Sequence, residues 1–303
     1  MKIILSLLIL STTLLSCKHH LEFRFAGGFT GGTYEKIAES LNAISDFKVS
    51  IQTTEGSLDN ISRLKNGTAE FSITQLDVLQ NHSIGDSTTF DSIKVLFPVY
   101  GEEIHVIAHK SIQSIEDLKG KKISIGESSS GTKLTSLLFL GYFGISNETS
   151  QLEEISYADS IPMLLDGTLQ GMVLIAGRPV KLLTDLDPRS ASELRLLSFT
   201  EDNLKSLKKT NLIYQRTEIP ASTYSWEVSP IQTFLVQSVM ITRSNIDPKI
   251  IRIFMKSIWQ NRDLLATQHK KWQGITSENL KLHFEKYRTY YHPEVESLLK
   301  ELK

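Results

Sequence analysis

Leu21-Glu22-Phe23-Arg24-Phe25-Ala26-Gly27-Gly28-Phe29-Thr30-Gly31-Gly32-Thr33 is the stretch that decides the fold. Its first six residues alternate apolar and polar, as a strand with one buried face does. Gly27–Gly32 is a glycine-rich turn, and Thr33 is a helix start. Tyr34, Ile37, Ala38, Leu41 and Ile44 then recur at helical spacing on one face. Two further segments share the strand–turn–helix design. One is Thr53-Thr54-Glu55-Gly56-Ser57, with Asn60 a turn later; the other is Gly126-Glu127-Ser128-Ser129-Ser130-Gly131-Thr132.

Outward from these turns, short β-like runs alternate with amphipathic helical ones, which predicts an α/β protein. Strands are expected at Phe47–Gln52, Phe71–Thr74, Ile93–Tyr100, His105–His109, Lys122–Gly126, Met172–Ala176, Leu194–Phe199 and Val236–Thr242. Helices are expected at Ser57–Lys65, Thr132–Phe143 and Ile161–Leu165, with one long helix over Pro248–Ala266 and a last one starting at Pro293. Ile219–Ser229 is rich in Pro, Ser and Thr, lacks periodicity and reads as connecting chain.

The three turns share a chemistry. Glycine lets the backbone approach a ligand, and Ser and Thr cap helices and offer hydroxyls. A helix start presents free N–H groups and partial positive charge, so it attracts anions without needing an arginine. Sharper catalytic motifs fail. Gly126 and Gly131 have phosphate-loop spacing, but Thr132-Lys133 follows instead of Lys-Ser/Thr. No Gly-x-Ser-x-Gly elbow and no acid–base carboxylate couple stands out. His105 and His109 are four apart but lie in strand-like sequence, so they read as structural. The expectation is a binding protein, not an enzyme, with no cofactor and no metal.

Met1–Cys17, MKIILSLLILSTTLLSC, has a basic start, an apolar run over Ile3–Leu15, Ser16 and the chain's single cysteine. That is the layout of a bacterial lipoprotein signal. The apolar run is shorter than the roughly 20 residues of a spanning helix. Residues 1–16 therefore read as a signal peptide, Cys17 as the lipidation site and 17–20 as a tether. This places the body outside the cytoplasm, anchored to a bacterial membrane. The body of about 285 residues exceeds what one core usually serves, so two lobes are expected. A net charge of −1 gives no field that would draw nucleic acid.

The motifs, in order, resemble the substrate-binding proteins of the TAXI family of TRAP transporters. They are Gly32-Thr33-Tyr34, Thr54–Asn60, Leu64–Glu70, Gln75-Leu76-Asp77, Tyr100, Asp117–Lys121, Ser130-Gly131-Thr132, Ala176–Pro179, Ile219–Tyr224 and His292-Pro293. The resemblance implies a two-lobed type II periplasmic-binding-protein fold with a ligand cleft between lobes. One lobe would comprise 21–109 plus 230–303, the other 112–226. It also implies a monomeric receptor that captures a small organic anion, such as glutamate or 2-oxoglutarate. The anion would pass to a multi-span membrane carrier driven by an ion gradient. The implied ligand-binding residues are Thr30, Gly31, Gly32, Thr33, Tyr34, Gly56, Ser57, Gln75, Ser128, Ser129, Ser130, Gly131, Thr132, Gly177, Arg178 and Pro179. A sensory or orphan receptor on the same fold, or an ABC-type binding protein for another solute, are the alternatives.

The chain departs from the family pattern. Glu35 and Lys36 replace an aromatic–proline pair, and Gln170 stands where an acid is common. Glu55 and Glu127 lie inside two supposed anion-binding turns. Either they face solvent, or the ligand is cationic or zwitterionic. Arg178 is a candidate partner for Glu127 or for a ligand carboxylate. At the other end of the chain, Cys17→Ala should shift the cleaved protein from the membrane to the soluble fraction on cell fractionation. Retention of that cleaved variant on membranes would remove the lipid anchor.

Overall fold

The computed structural model describes residues 21–210 and 213–302. The expectations for the signal, Cys17 and the tether lie outside the described residues. Ten strands form one curled mixed sheet: β1 Leu21–Ala26, β2 Phe47–Gln52, β3 Phe71–Gln75, β4 Ile93–His109, β5 Lys122–Ser124, β6 Gln151–Glu153, β7 Gly171–Ala176, β8 Leu194–Leu196, β9 Gln215–Ile219 and β10 Ile231–Arg243. The order is β2-β1-β3-β10-β4-β7-β5-β6, with β8 beside β4 and β9 beside β10. The helices that matter for the site are α1 Thr33–Leu41, α2 Ser57–Lys65, α3 Leu76–Gly85, α4 Ser87–Ser92, α5 Gly131–Gly141 and α6 Tyr157–Leu165.

The sheet has a parallel set at each end, β2-β1-β3 and β7-β5-β6. Between them run the two long antiparallel strands β4 and β10, 17 and 13 residues long. Strand β10 is antiparallel to β3, and β4 is antiparallel to β7. Parallel strands need helical crossovers, and these bring the helix starts to the carboxyl ends of the strands. That is why the three glycine-rich turns gather on one side of the sheet.

The first turn follows β1 because Phe23 and Phe25 bury on the sheet while Glu22 and Arg24 stay exposed. Under it lies an aromatic cluster. The Phe71 and Phe254 rings stack with centroids 3.7 Å apart, and Phe23 meets Phe71 edge-on at 5.1 Å. Helix Pro248–Gln260 supplies Phe254 from a face that also buries Ile251, Met255 and Ile258. Asp247 caps that helix by accepting the Lys249 N–H, and Pro248 takes the first position, where no N–H is needed. A second core beneath β7 is built on Leu164, Met172, Leu174, Leu183 and Tyr224.

Two expectations are corrected. Ile93–Tyr100 and His105–His109 are not separate strands but one, β4. The polar break Gly101-Glu102-Glu103 is where β4 passes from pairing with β10 to pairing with β7. A register shift opposite Ser238 and Val239 accommodates Pro98, which has no N–H for the ladder. Likewise, Pro248–Ala266 is not one helix. It breaks at Asn261, whose side-chain amide donates to the Ser257 carbonyl at 2.8 Å, and Arg262–Gln268 continues as a separate helix.

Among the described residues, no helix is long and apolar enough to cross a membrane. Phe254→Ala empties the centre of the aromatic cluster and should cost about 3–5 kcal/mol in urea unfolding. Ile253→Ala, at a side chain 42% exposed on the same helix, should change stability by less than about 0.5 kcal/mol. Equal losses in the two variants would contradict this packing.

Candidate functional site

Thr54 joins the first two turns. Its hydroxyl accepts the Gly28 N–H at 2.9 Å and donates to the Asn60 side chain at 2.5 Å. Its own N–H donates to the Gly28 carbonyl at 2.8 Å. Asn60 in turn donates to the Ile73 carbonyl of β3 at 2.8 Å, so β1, α2 and β3 are tied together by side chains. Glu35 folds back to accept the Gly31 N–H at 2.6 Å. The departure from the family pattern at this position therefore has a structural use in the first turn.

Helices α1 and α2 begin at Gly32 and Gly56, which have no side chain to cap them. Helix α5 begins at Ser130, whose hydroxyl accepts the Lys133 N–H. Residues at these starts line a cleft with two adjoining spaces. The outer space is about 450 Å³. It is lined by Phe29, Thr30, Gly31, Gly32, Thr33, Glu55, Glu127, Tyr157, Gly177 and Pro179, among others. The inner chamber is about 60 Å³. It is lined by Tyr34, Gly56, Ser57, Gln75, Tyr100, Glu102, Ser130, Gly131, Thr132 and Tyr157, among others. At Gly131 a Cβ would sit 1.7 Å from Gln75 Oε1 and 2.7 Å from Ser57 Oγ. Only glycine allows these two turns to close on each other.

Most residues expected from the sequence thus come together around one cleft. Ser128, Ser129 and Arg178 line neither space. Arg178 and Glu127 do not pair. Arg178 instead donates from Nη1 to Glu103 Oε1 at 2.5 Å and from its backbone N–H to Oε2 at 2.9 Å. The reason is strand alternation. On β4, Glu103 and His105 lie on the face toward Arg178 and Tyr224, while Tyr100 and Glu102 face Tyr34 and the chamber. Glu55 and Glu127 both border the outer space, and burial followed by repulsion from Glu55 and Asp159 raises the Glu127 carboxyl.

Sequence reasoning missed Glu102, Tyr157 and Phe29, and used Tyr100 only as a family marker. Two acids inside an otherwise apolar strand, Glu102-Glu103, were the available signal for the first. Glu102 is 4% exposed and accepts the Tyr34 hydroxyl at 2.6 Å. Burial, with some repulsion from Asp77, pushes its carboxyl up to about 8 against the pull of the Tyr34 and Tyr100 hydroxyls and Lys271. Lys271 donates to the Arg178 carbonyl at 3.1 Å and lies over the Tyr100 ring, and burial lowers its pKa.

Behind the chamber, buried Asp77 accepts the Thr135 hydroxyl at 2.6 Å and the Tyr214 hydroxyl at 2.9 Å. This carboxylate joins α3 to α5. His105 is buried between the Glu103 carbonyl and the Tyr224 hydroxyl, and desolvation lowers its pKa to about 4. Among the described residues, no group of three or more His, Cys, Asp and Glu is placed to hold a metal ion.

Glu102 links stability to pH. Its carboxyl titrates at about 8 in the folded protein against an ordinary 4.5, so the native state keeps a proton that the unfolded chain releases. That contribution is full below about pH 4.5 and is lost as pH rises through 8. Glu102→Gln keeps the shape without the titration. Between pH 5 and 9 its melting temperature should therefore fall less than that of the wild type. Parallel melting profiles would show that Glu102 is not a buried acid.

The structure is similar to PhnD1 from Prochlorococcus marinus, solved in complex with methylphosphonate. The TM-score is 0.55 at 11% identity, over 93% of this chain and 98% of that one. It is also similar to the GluR0 ligand-binding core from Nostoc punctiforme, solved with L-glutamate. There the TM-score is 0.52 at 12% identity, over 82% of this chain and 98% of that one. These likenesses show the two-lobed periplasmic-binding-protein fold. Residues 25–288 match the model of the NMT1-like family, and the chain belongs to that family.

Proposed function

We propose that this protein is a solute-binding receptor of the TAXI type, lipid-anchored through Cys17 outside the cytoplasm. It captures a small organic acid and presents it to a multi-span TRAP carrier. One lobe comprises 21–109 plus 230–303 and the other 112–226, with ligand closing the cleft between them.

One observation carries the reading. Three helix starts, at Thr33, Ser57 and Gly131, converge on a single cleft, and two of them lack a side-chain cap. Helix starts concentrate N–H donors and positive potential where a carboxylate would sit. The order of motifs from Gly32-Thr33-Tyr34 to His292-Pro293 supports the TAXI assignment.

Both turn contributions to the cradle are testable. Small carboxylic acids and amino acids should raise the melting temperature of the mature domain, because a ligand that binds only the native state stabilises it by mass action. Ser57 Oγ already accepts the Gln75 N–H at 3.1 Å, so Ser57→Ala removes a hydroxyl from the chamber wall. It should weaken the stabilising ligand by about one to two decades in calorimetry. Gly131→Ala must displace Gln75 and should abolish binding. If no carboxylate stabilises the wild type, the receptor reading falls.

A further inference from the structure

The outer space decides what can be attached to a carboxylate held at the helix starts. The inner chamber, about 60 Å³, has room for a group the size of about two waters at roughly 30 Å³ each, which suits a carboxylate and little more. The outer space, about 450 Å³, would hold about fifteen such waters, so a body of some size is missing from it. One wall is apolar. Leu174 and Ala176 line it from alternate positions of β7, and Pro179, Val180 and Leu182 extend it past the end of the strand. Phe29 adds a ring from the first turn, 46% exposed and edge-on to the Tyr157 ring at 6.1 Å.

Polar groups bordering this space are bonded within the protein. The Tyr157 hydroxyl bonds to the Thr132 hydroxyl, and Ser156 Oγ donates to Asp159 at 2.7 Å. Lys36 pairs with Glu39 at 2.8 Å, and Lys181 pairs with Asp185. Burial and the neighbouring lysines lower the pKa of His269, so it is neutral at pH 7. Lys271 makes no ion pair among the described residues, but it lies over the Tyr100 ring and lines neither space. Glu55 and Glu127 border the outer space, and neither has an ion pair among the described residues. A second carboxylate at the far end of a ligand would therefore meet apolar carbon and two uncompensated acids.

We propose that the ligand is a monocarboxylic acid with an apolar body of roughly six to ten carbons, alkyl or aryl, whose carboxylate takes the helix starts while the body fills the outer space against Phe29, Tyr157, Leu174 and Leu182. This rests on reading the cleft as a receptor site for a small acid. It departs from glutamate and 2-oxoglutarate, the dicarboxylates that the family resemblance implies. At pH 7 the Glu102 carboxyl, titrating at about 8, keeps its proton and does not repel the bound carboxylate. The body covers the Phe29 ring and the apolar wall, and each methylene it buries there strengthens binding by about fourfold.

The test is calorimetry on the mature wild-type domain at pH 7 with two series. One is butyrate, hexanoate, octanoate and 3-phenylpropanoate. The other is succinate, adipate and suberate, which match the straight chains carbon for carbon, with glutamate and 2-oxoglutarate alongside. Affinity should climb about fourfold per methylene from butyrate to octanoate, at one site per protein, with a negative heat-capacity change. Octanoate should bind at least about tenfold more tightly than suberate. Phe29→Ala should weaken octanoate by about fivefold or more while the melting temperature of the unliganded protein stays unchanged. The double variant Glu55→Gln with Glu127→Gln should narrow the gap between octanoate and suberate. A dicarboxylate that binds as tightly as octanoate, or an affinity that does not climb with chain length, overturns the apolar body and leaves the carboxylate receptor standing. Absence of binding by every acid of both series overturns both.

Discussion

The pairing of β4 with β10 is the constraint on which the rest depends. These two strands run antiparallel over Ile93–Glu103 at the middle of the sheet, and every other strand is hung on one side or the other. Because β4 pairs with β10 up to Glu103 and with β7 from Glu103 onward, one strand, with β10, joins the two parallel sets. A strand that continuous cannot be cut into independent pieces without exposing backbone on both sides. It also sets the floor of the cleft, since alternation along β4 sends Tyr100 and Glu102 to the chamber and Glu103 and His105 to the opposite face.

The cleft combines two opposed electrostatic elements. Helix starts at Ser57 and Gly131 bring donors, and Glu102 with the Gln75 carbonyl brings acceptors. Gln75 and Glu102 are both buried, and Glu102 makes no ion pair among the described residues. In such a place an unpaired polar group is expensive, and a partner of the right polarity is correspondingly strongly held. The polar groups that do have partners within the protein, Asp77 with Thr135 and Tyr214 and Thr54 with Asn60, shape the walls. Against these satisfied walls, the floor holds one buried acceptor without a partner, Gln75 Oε1.

Much of the local structure was legible because it is set by near neighbours. The run Leu21–Ala26 alternates, Gly27–Gly32 turns, and Tyr34 to Leu41 repeats at helical spacing, and each of these appears where the pattern puts it. The failures arose where distant chain decides. Gly101-Glu102-Glu103 looks like a loop between strands, yet β10 and β7 supply the ladder that carries β4 through it. Pro248–Ala266 is apolar on one face throughout, yet Asn261 turns its amide to the Ser257 carbonyl and ends the first helix. Arg178 and Glu127 each end a strand, which suggested a pair, but Glu103 on β4 reaches Arg178 and Glu127 borders the outer space.

The sequence by itself determined the α/β class, the three glycine-rich turns and most of the residues around the cleft. These follow from short-range periodicity and from the backbone freedom of glycine, which a single strand–turn–helix segment already expresses. Only the tertiary structure decided which charges meet. Glu102 and Glu103 are neighbours in sequence and identical in chemistry. One is buried against Tyr34 and the other is bound to Arg178, because a pleated strand turns adjacent side chains to opposite faces and the sheet's long-range order determines what waits on each.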